Sequence, residues 1–261
     1  MKRTALIFVV LLALVTAGAA YAITFGEPDG TNHPNVGAMI VLEPDGMKYL
    51  YCSGTLISPT VFLTAAHCTA AAAAYGAAPD DVFVTFDPVY DSKAKLISGT
   101  YHLNPNYGHD SHDLNDVAVI TLDRPVKNIE PAKLPKEGLL DELEKAHNLK
   151  YQEFVTVGYG RLRNEKTGGP HVIGEAGERY FAEQSFLALK PYWLQLSMNP
   201  STGSGGTCYG DSGGPHFLGE TNMVVSLTVT GDAWCRATDV TYRLDTDSAR
   251  SYLSQFVTLP Q

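Results

Sequence analysis

The chain has 261 residues, 44% of them hydrophobic and 18% charged, and a formal net charge of -9. It is long and apolar enough to bury a real core, which excludes a disordered chain and fits a single large all-β domain. Its acidic balance argues against nucleic acid or an anionic membrane as a partner.

Met1-Lys2-Arg3, an apolar run from Ala5 to about Val15 and the small residues ending Ala20-Tyr21-Ala22 have the layout of a secretory signal over residues 1–22. The run falls short of the roughly 18 residues a membrane span needs, so the expectation is export of a soluble chain beginning at Ile23. Losing Lys2 and Arg3 takes the net charge from -9 to about -11. In an oxidising compartment Cys52, Cys68, Cys208 and Cys235 would form two disulfides, and the sequence leaves all three pairings open.

Short apolar, β-branched runs follow in order: Gly37 to Leu42, Tyr49 to Leu56, Val61 to Ala65, Val82 to Phe86, Val117 to Leu122, Phe154 to Tyr159, Trp193 to Ser197, Val224 to Val229 and Val240 to Leu244. Clusters such as Glu43-Pro44-Asp45-Gly46 and Asn104-Pro105-Asn106 punctuate them, so the chain reads as all-β, in barrels or a sandwich. Two segments break the pattern. Leu139 to Leu149 places Leu139, Leu143 and Ala146 on one helical face, within a charged connector from Lys136 to Lys150. Ser248 to Phe256 can be capped by Asp247 or Ser248, and its stripe of Tyr252, Leu253 and Phe256 is expected to pack on a barrel. The alanine run Ala70 to Ala74 is too brief to carry meaning, and there is no repeat or phosphate-binding glycine loop.

The strongest chemical signal is Gly210-Asp211-Ser212-Gly213-Gly214-Pro215, a hydroxyl among glycines that let backbone N–H groups converge on a substrate oxygen. Ser212 alone would be inert, because a hydroxyl needs a base to take its proton and a third group to orient that base. His67, in Leu63-Thr64-Ala65-Ala66-His67-Cys68, follows a strongly apolar strand. Asp116 heads Asp116-Val117-Ala118-Val119-Ile120-Thr121-Leu122, where a carboxylate at the start of a buried strand needs a donor. Asp110 and Asp113 lie nearby but open no such strand.

These three blocks, in this order, resemble the trypsin-like serine peptidases of the chymotrypsin family. The resemblance covers nearly all of residues 23–261 and is weak between Arg161 and Ser204. It implies two six-stranded antiparallel Greek-key barrels packed face to face, about 30–135 and 150–245, with a C-terminal helix over about 248–257. It implies His67 as general base and then acid, Asp116 as the residue orienting the imidazole, Ser212 as nucleophile, and the amides of Gly210 and Ser212 as oxyanion hole. It pairs Cys52 with Cys68 and Cys208 with Cys235. Asp211 stands where the family binds a newly exposed N-terminal amine, which here would be that of Ile23 once the chain is cut after Ala22.

For specificity, the resemblance places Gly206 where trypsin-type enzymes carry an Asp. It puts Ser226-Leu227-Thr228 along the pocket wall, with β-branched Thr228 narrowing the entrance, and Asp239 near the far side. The expected preference is for small to medium uncharged residues before the scissile bond. The expected partner is a protein or peptide substrate, and the expected state a monomer. No cofactor and no metal are expected: His109-Asp110-Ser111-His112-Asp113 lacks zinc-ligand spacing, and residues 70–81 lack an acidic calcium pattern. Two alternatives share the pattern: an inactive homologue that only binds, which would normally lose a triad residue, and an esterase using the same acyl chemistry.

Overall fold

The computed structural model describes residues 23–161 and 176–261, so the leader expected over 1–22 lies outside the described residues. Among the described residues thirteen strands carry the fold. In the first half these are β1 (Glu27–Pro28), β2 (Val36–Leu42), β3 (Lys48–Ser58), β4 (Val61–Thr64), β5 (Val82–Thr85), β6 (Ile97–His102) and β7 (Ala118–Leu122). In the second they are β8 (Glu153–Gly158), β9 (Tyr180–Leu189), β10 (Trp193–Ser197), β11 (Pro215–Leu218), β12 (Val224–Gly231) and β13 (Thr238–Arg243).

Strands β2 to β7 close a barrel in the order β2-β3-β4-β7-β6-β5. Their unbroken apolar runs, such as Val36 to Val41, are buried because both faces are covered. The second sheet runs β1-β9-β10-β13-β12-β11-β8, and pairing of β8 with β9 closes six of its strands into the second barrel. Both barrels are antiparallel throughout. The expected all-β architecture of two six-stranded barrels with a C-terminal helix is therefore present. β1, β6, β9 and β11 are not among the sequence-derived strands.

The helices differ in detail from the sequence reading. Helix α1 (Ala66–Ala74) occupies the alanine run that looks too brief, because alanine has the highest intrinsic helix propensity and the turn starts on a buried strand end. Helix α2 (Leu139–Lys145) stops short of Leu149: His147 adopts φ of 57°, which ends the helix, and Leu149–Tyr151 forms a separate 3-10 turn. Helix α3 (Asp247–Leu253) is capped by neither Asp247 nor Ser248 but by Thr246, whose hydroxyl accepts from the Ala249 amide. Tyr252 and Leu253 are buried, and Phe256, just past the helix end, packs against them. Among the described residues no helix is long and apolar enough to cross a membrane.

The N-terminal arm is fixed by a buried cation. Arg179, at the entry to β9, is 1% exposed and donates to Asp29 at 2.7 Å, to the carbonyls of Gly30, Val36 and Phe86, and to the Tyr159 hydroxyl. Asp29 also meets the ring of His33. Burial pushes the Asp29 carboxyl up, but His33 and Arg179 outweigh it and hold it below its ordinary 3.8. This cluster therefore stabilises the fold above pH 3.8, and that contribution is lost as pH falls through the depressed folded value. Replacing Arg179 by Ala leaves Asp29 buried with one partner fewer, and should cost about 3 to 5 kcal/mol. A urea midpoint unchanged in Arg179→Ala would contradict this.

Candidate active site

His67 is the second residue of α1 and Asp116 lies two residues before β7, so pairing of β4 with β7 brings the two together. The Asp116 carboxylate is almost wholly buried and both oxygens are used: Oδ1 accepts from the His67 amide at 2.9 Å, and Oδ2 lies 2.9 Å from His67 Nδ1. With an ionised carboxylate as acceptor, Nδ1 must carry the proton, which leaves Nε2 as the lone-pair nitrogen. Asn104 holds this segment from behind, its amide donating to the carbonyls of Asn115 and Val117. Asn115 takes φ of 50° between those contacts. In the sequence Asn104 reads only as a turn residue, and nothing in its spacing distinguishes it from other turn asparagines. Asp110 and Asp113 lie elsewhere: Asp110 is exposed against His112, and Asp113 is buried under the Tyr242 hydroxyl.

Ser212 lies on the loop entering β11. Its carbonyl accepts from Ser53 on β3 at 2.9 Å, and Cys68 Sγ, one residue from His67, is 3.8 Å from the same oxygen. The Ser212 hydroxyl and His67 Nε2 make no hydrogen bond among the described residues, a spacing that commonly tightens only when substrate binds. Gly210 has φ of 97°, a conformation open to glycine. The amides of Gly210 and Ser212 have no partner among the described residues, whereas those of Asp211, Gly213 and Gly214 all do. Two adjacent unpaired donors beside a hydroxyl are the arrangement that stabilises an oxyanion. The disulfides join Cys52 to Cys68, behind His67, and Cys208 to Cys235, beside Ser212. Cys52, Cys68 and His67 also form the one tight group of metal-capable side chains among the described residues, but both sulfurs are bonded to each other.

The sequence pattern of the trypsin family matches residues 27–246. The chain belongs to the trypsin family. The trypsin of Saccharopolyspora erythraea is 28% identical to it over 213 residues, which span 78% of this chain and 84% of that protein. Chymotrypsin-C of Bos taurus is 28% identical over 231 residues, 78% of this chain and 81% of that one. The solved structure of HL collagenase superposes with a TM-score of 0.64 over 90% of this chain and 96% of its own, at 19% identity, which shows the shared fold. Membership makes the chain a serine endopeptidase acting on protein substrates.

Beside Ser212 lies a cavity of about 250 Å³ lined by residues 207–209, 228–233 and Cys235. A larger one of about 610 Å³, near His33 and Glu220, holds none of the predicted site residues. Ser226 and Leu227 are buried in the second barrel, and Thr228 lines the cavity, its backbone paired with Gly213 and Gly214. The next three residues, Val229, Thr230 and Gly231, continue the lining and are more exposed. Gly206 is buried behind Thr207, and a Cβ there would run into Cγ and Sδ of Met198 and within 2.6 Å of Gln184 Nε2. Asp239 does not face the cavity: it is 0% exposed, with Oδ2 accepting from Gln184 Nε2 at 3.0 Å and lying 3.0 Å from His216 Nε2.

Asp211 is fully buried, its oxygens accepting from the amides of Gly160 and Cys208 at 2.8 and 2.9 Å, with no cationic side chain in contact among the described residues. Burial pushes its carboxyl up to about 7, against the pull of those two amides and with repulsion from Asp239 adding to it. A raised folded value stabilises the chain fully below 3.8, and that contribution is lost as pH rises through about 7. A chain still carrying residues before Ile23 should therefore lose stability between about pH 4 and 7, by on the order of 1.4 kcal/mol per pH step at the steepest. Asp211→Asn should flatten that slope in urea melts of the same uncleaved chain. An identical slope in both would count against a buried, unpaired Asp211.

Proposed function

We propose that the chain is an exported monomeric endopeptidase, with a leader over residues 1–22 and a peptidase domain over 23–261 whose two barrels occupy about 30–135 and 150–245. It hydrolyses peptide bonds through a Ser-His-Asp triad. His67 takes the proton of Ser212 as that oxygen attacks the carbonyl, and returns it to the leaving amine. Asp116 keeps Nδ1 protonated and the ring in place, and the amides of Gly210 and Ser212 hold the oxyanion until water releases the acyl-enzyme. The observation that carries this reading is the two-point grip of Asp116 on His67, at 2.9 Å to the amide and 2.9 Å to the ring. One bond would fix the ring's tautomer; two also fix its base to the backbone.

The residue before the scissile bond is small to medium and uncharged. Supporting this, Met198 and Gln184 fill the space that a side chain at Gly206 would need, and the Asp239 carboxylate is held away from the cavity. Removal of the leader is also activation. In support, Ile23 is fully buried against Tyr180 and Ala182, and Thr24 exchanges both backbone hydrogen bonds with Gly206. An amine created at Ile23 would give Asp211 the cation it lacks. The two disulfides are in keeping with export.

A fluorophosphonate probe should label the wild-type chain and casein should be cleaved, and Ser212→Ala should abolish both. Asp116→Asn should retain the fold and lose about four orders of magnitude in kcat through the wrong imidazole tautomer. Probe labelling that persists in Ser212→Ala would remove the nucleophile from the proposal. Terminal sequencing of active secreted protein should begin at Ile23, and a different start would sever leader removal from activation.

A further inference from the structure

Behind the specificity cavity the second barrel holds a polar cluster that the proposed reaction does not use. Gln184 on β9, His216 on β11 and Asp239 on β13 are at most 1% exposed, and both amide and imidazole point at the same carboxylate oxygen, Asp239 Oδ2. Three atoms of the cluster have no hydrogen-bond partner among the described residues: Asp239 Oδ1, Gln184 Oε1 and His216 Nδ1. Buried polar atoms are almost always paired, so a carboxylate with one oxygen doubly engaged and the other idle is a site prepared for a further donor. Two of the three idle atoms, Asp239 Oδ1 and Gln184 Oε1, can only accept.

Met198 lies beside this cluster. Its Cγ and Sδ fill the space above Gly206, Gln184 Nε2 lies next to that space, and its ε-methyl and the Asp239 Cα stand 3.6 and 3.7 Å from where a Cβ on Gly231 would be. Gly231 is on the exposed rim of the cavity. Met198 thus reaches from Gly206 to that rim while staying 1% exposed. An unbranched thioether is the side chain best able to fill such a gap, and the easiest to replace with a shorter one.

We infer that Met198 is a specificity-determining plug: it seals the cavity from a preformed acceptor site on Asp239 and Gln184 that would otherwise take the cationic end of a lysine or arginine side chain. The inference builds on the proposed nucleophile and cavity, and deepens that reading by naming what keeps basic substrates out. Without the plug, a long basic side chain can pass Gly206 and donate to Asp239 Oδ1 and Gln184 Oε1, while His216 and the Gln184 amide keep the carboxylate in place.

The test is a peptide library profile of the leader-free enzyme, with each preparation first titrated by fluorophosphonate so that rates refer to labelled Ser212. Wild type should show negligible cleavage after Lys and Arg. Met198→Ala should raise kcat/KM for Lys and Arg peptides about 10-fold or more relative to small residues, and should gain binding of benzamidine. Met198→Ala combined with Asp239→Asn should lose both gains. Met198→Val, a milder truncation, carries the same expectation should the alanine variant not fold. Efficient cleavage after Arg by wild type, or a truncation that labels fully yet gains no basic preference, overturns the plug. Absence of labelling in wild type would instead strike the nucleophile assignment.

Discussion

Ser53 lies on β3 of the first barrel, yet its amide and hydroxyl are spent on the second. The amide donates to the Ser212 carbonyl at 2.9 Å, and the hydroxyl donates to the Gly210 carbonyl at 3.0 Å and accepts from the Tyr159 amide at 2.9 Å. His67 and Asp116 ride on one barrel and Ser212 on the other, so the register between the halves of the site is only as good as this seam. The loop is pressed onto it closely. A Cβ at Gly213 would meet Thr64 Oγ1, and would stand 2.7 Å from both the Ala65 amide and the Ser53 carbonyl. Gly213 therefore answers to the approach of β3 and β4, while Gly210 answers to its own φ of 97°. Displacing reacting groups by about 1 Å can cost a hundredfold in rate, which makes this seam part of the chemistry as well as of the fold.

One disulfide, Cys208 to Cys235, ties the second barrel, and two buried cations add further attachment. Arg179 secures the N-terminal arm to β9 and to the first barrel, and Arg243 joins β13 to Asp141 on α2, to Asp245 and to the carbonyls of Lys190 and Pro191. In both, the guanidinium's rigid fork of donors is nearly saturated, which is the condition under which a buried cation is tolerated. The arm reaches beyond Arg179, because it carries Thr24 onto Gly206, next to the cavity residue Thr207.

All nine sequence-derived strands correspond to observed ones, because a barrel strand buried on both faces leaves an uninterrupted run without polar residues, such as Val36 to Val41. Strands that alternate or carry polar residues escape that signal: β9 reads Tyr-Phe-Ala-Glu-Gln-Ser-Phe, and its buried Gln184 gives no apolar cue. The three blocks around His67, Asp116 and Ser212 are legible because each couples a chemical residue to an apolar strand. Ser53, Asn104 and Met198 are not, since each acts through a contact with residues distant in sequence. The cavity's outer lining is likewise hard to read by counting along β12, because the strand's register shifts between Thr228 and Thr230.

Among the described residues the amides of Gly210 and Ser212 are unpaired, and Asp211 has no cationic partner. The loop's shape is held instead by neutral donors: Gly160 and Cys208 on the Asp211 carboxyl, Ser53 on the Gly210 and Ser212 carbonyls. What is missing is charge compensation. A carboxyl whose burial pushes it up to about 7 can be satisfied as a neutral acid by those amides, or as an anion only if a cation arrives. If leader removal activates the chain as proposed, the amine of Ile23 supplies that cation, and the Ile23 side chain is already buried. On the proposed reading, activation in this protein is then chiefly a change in the protonation of Asp211, and the geometry of the oxyanion hole precedes it.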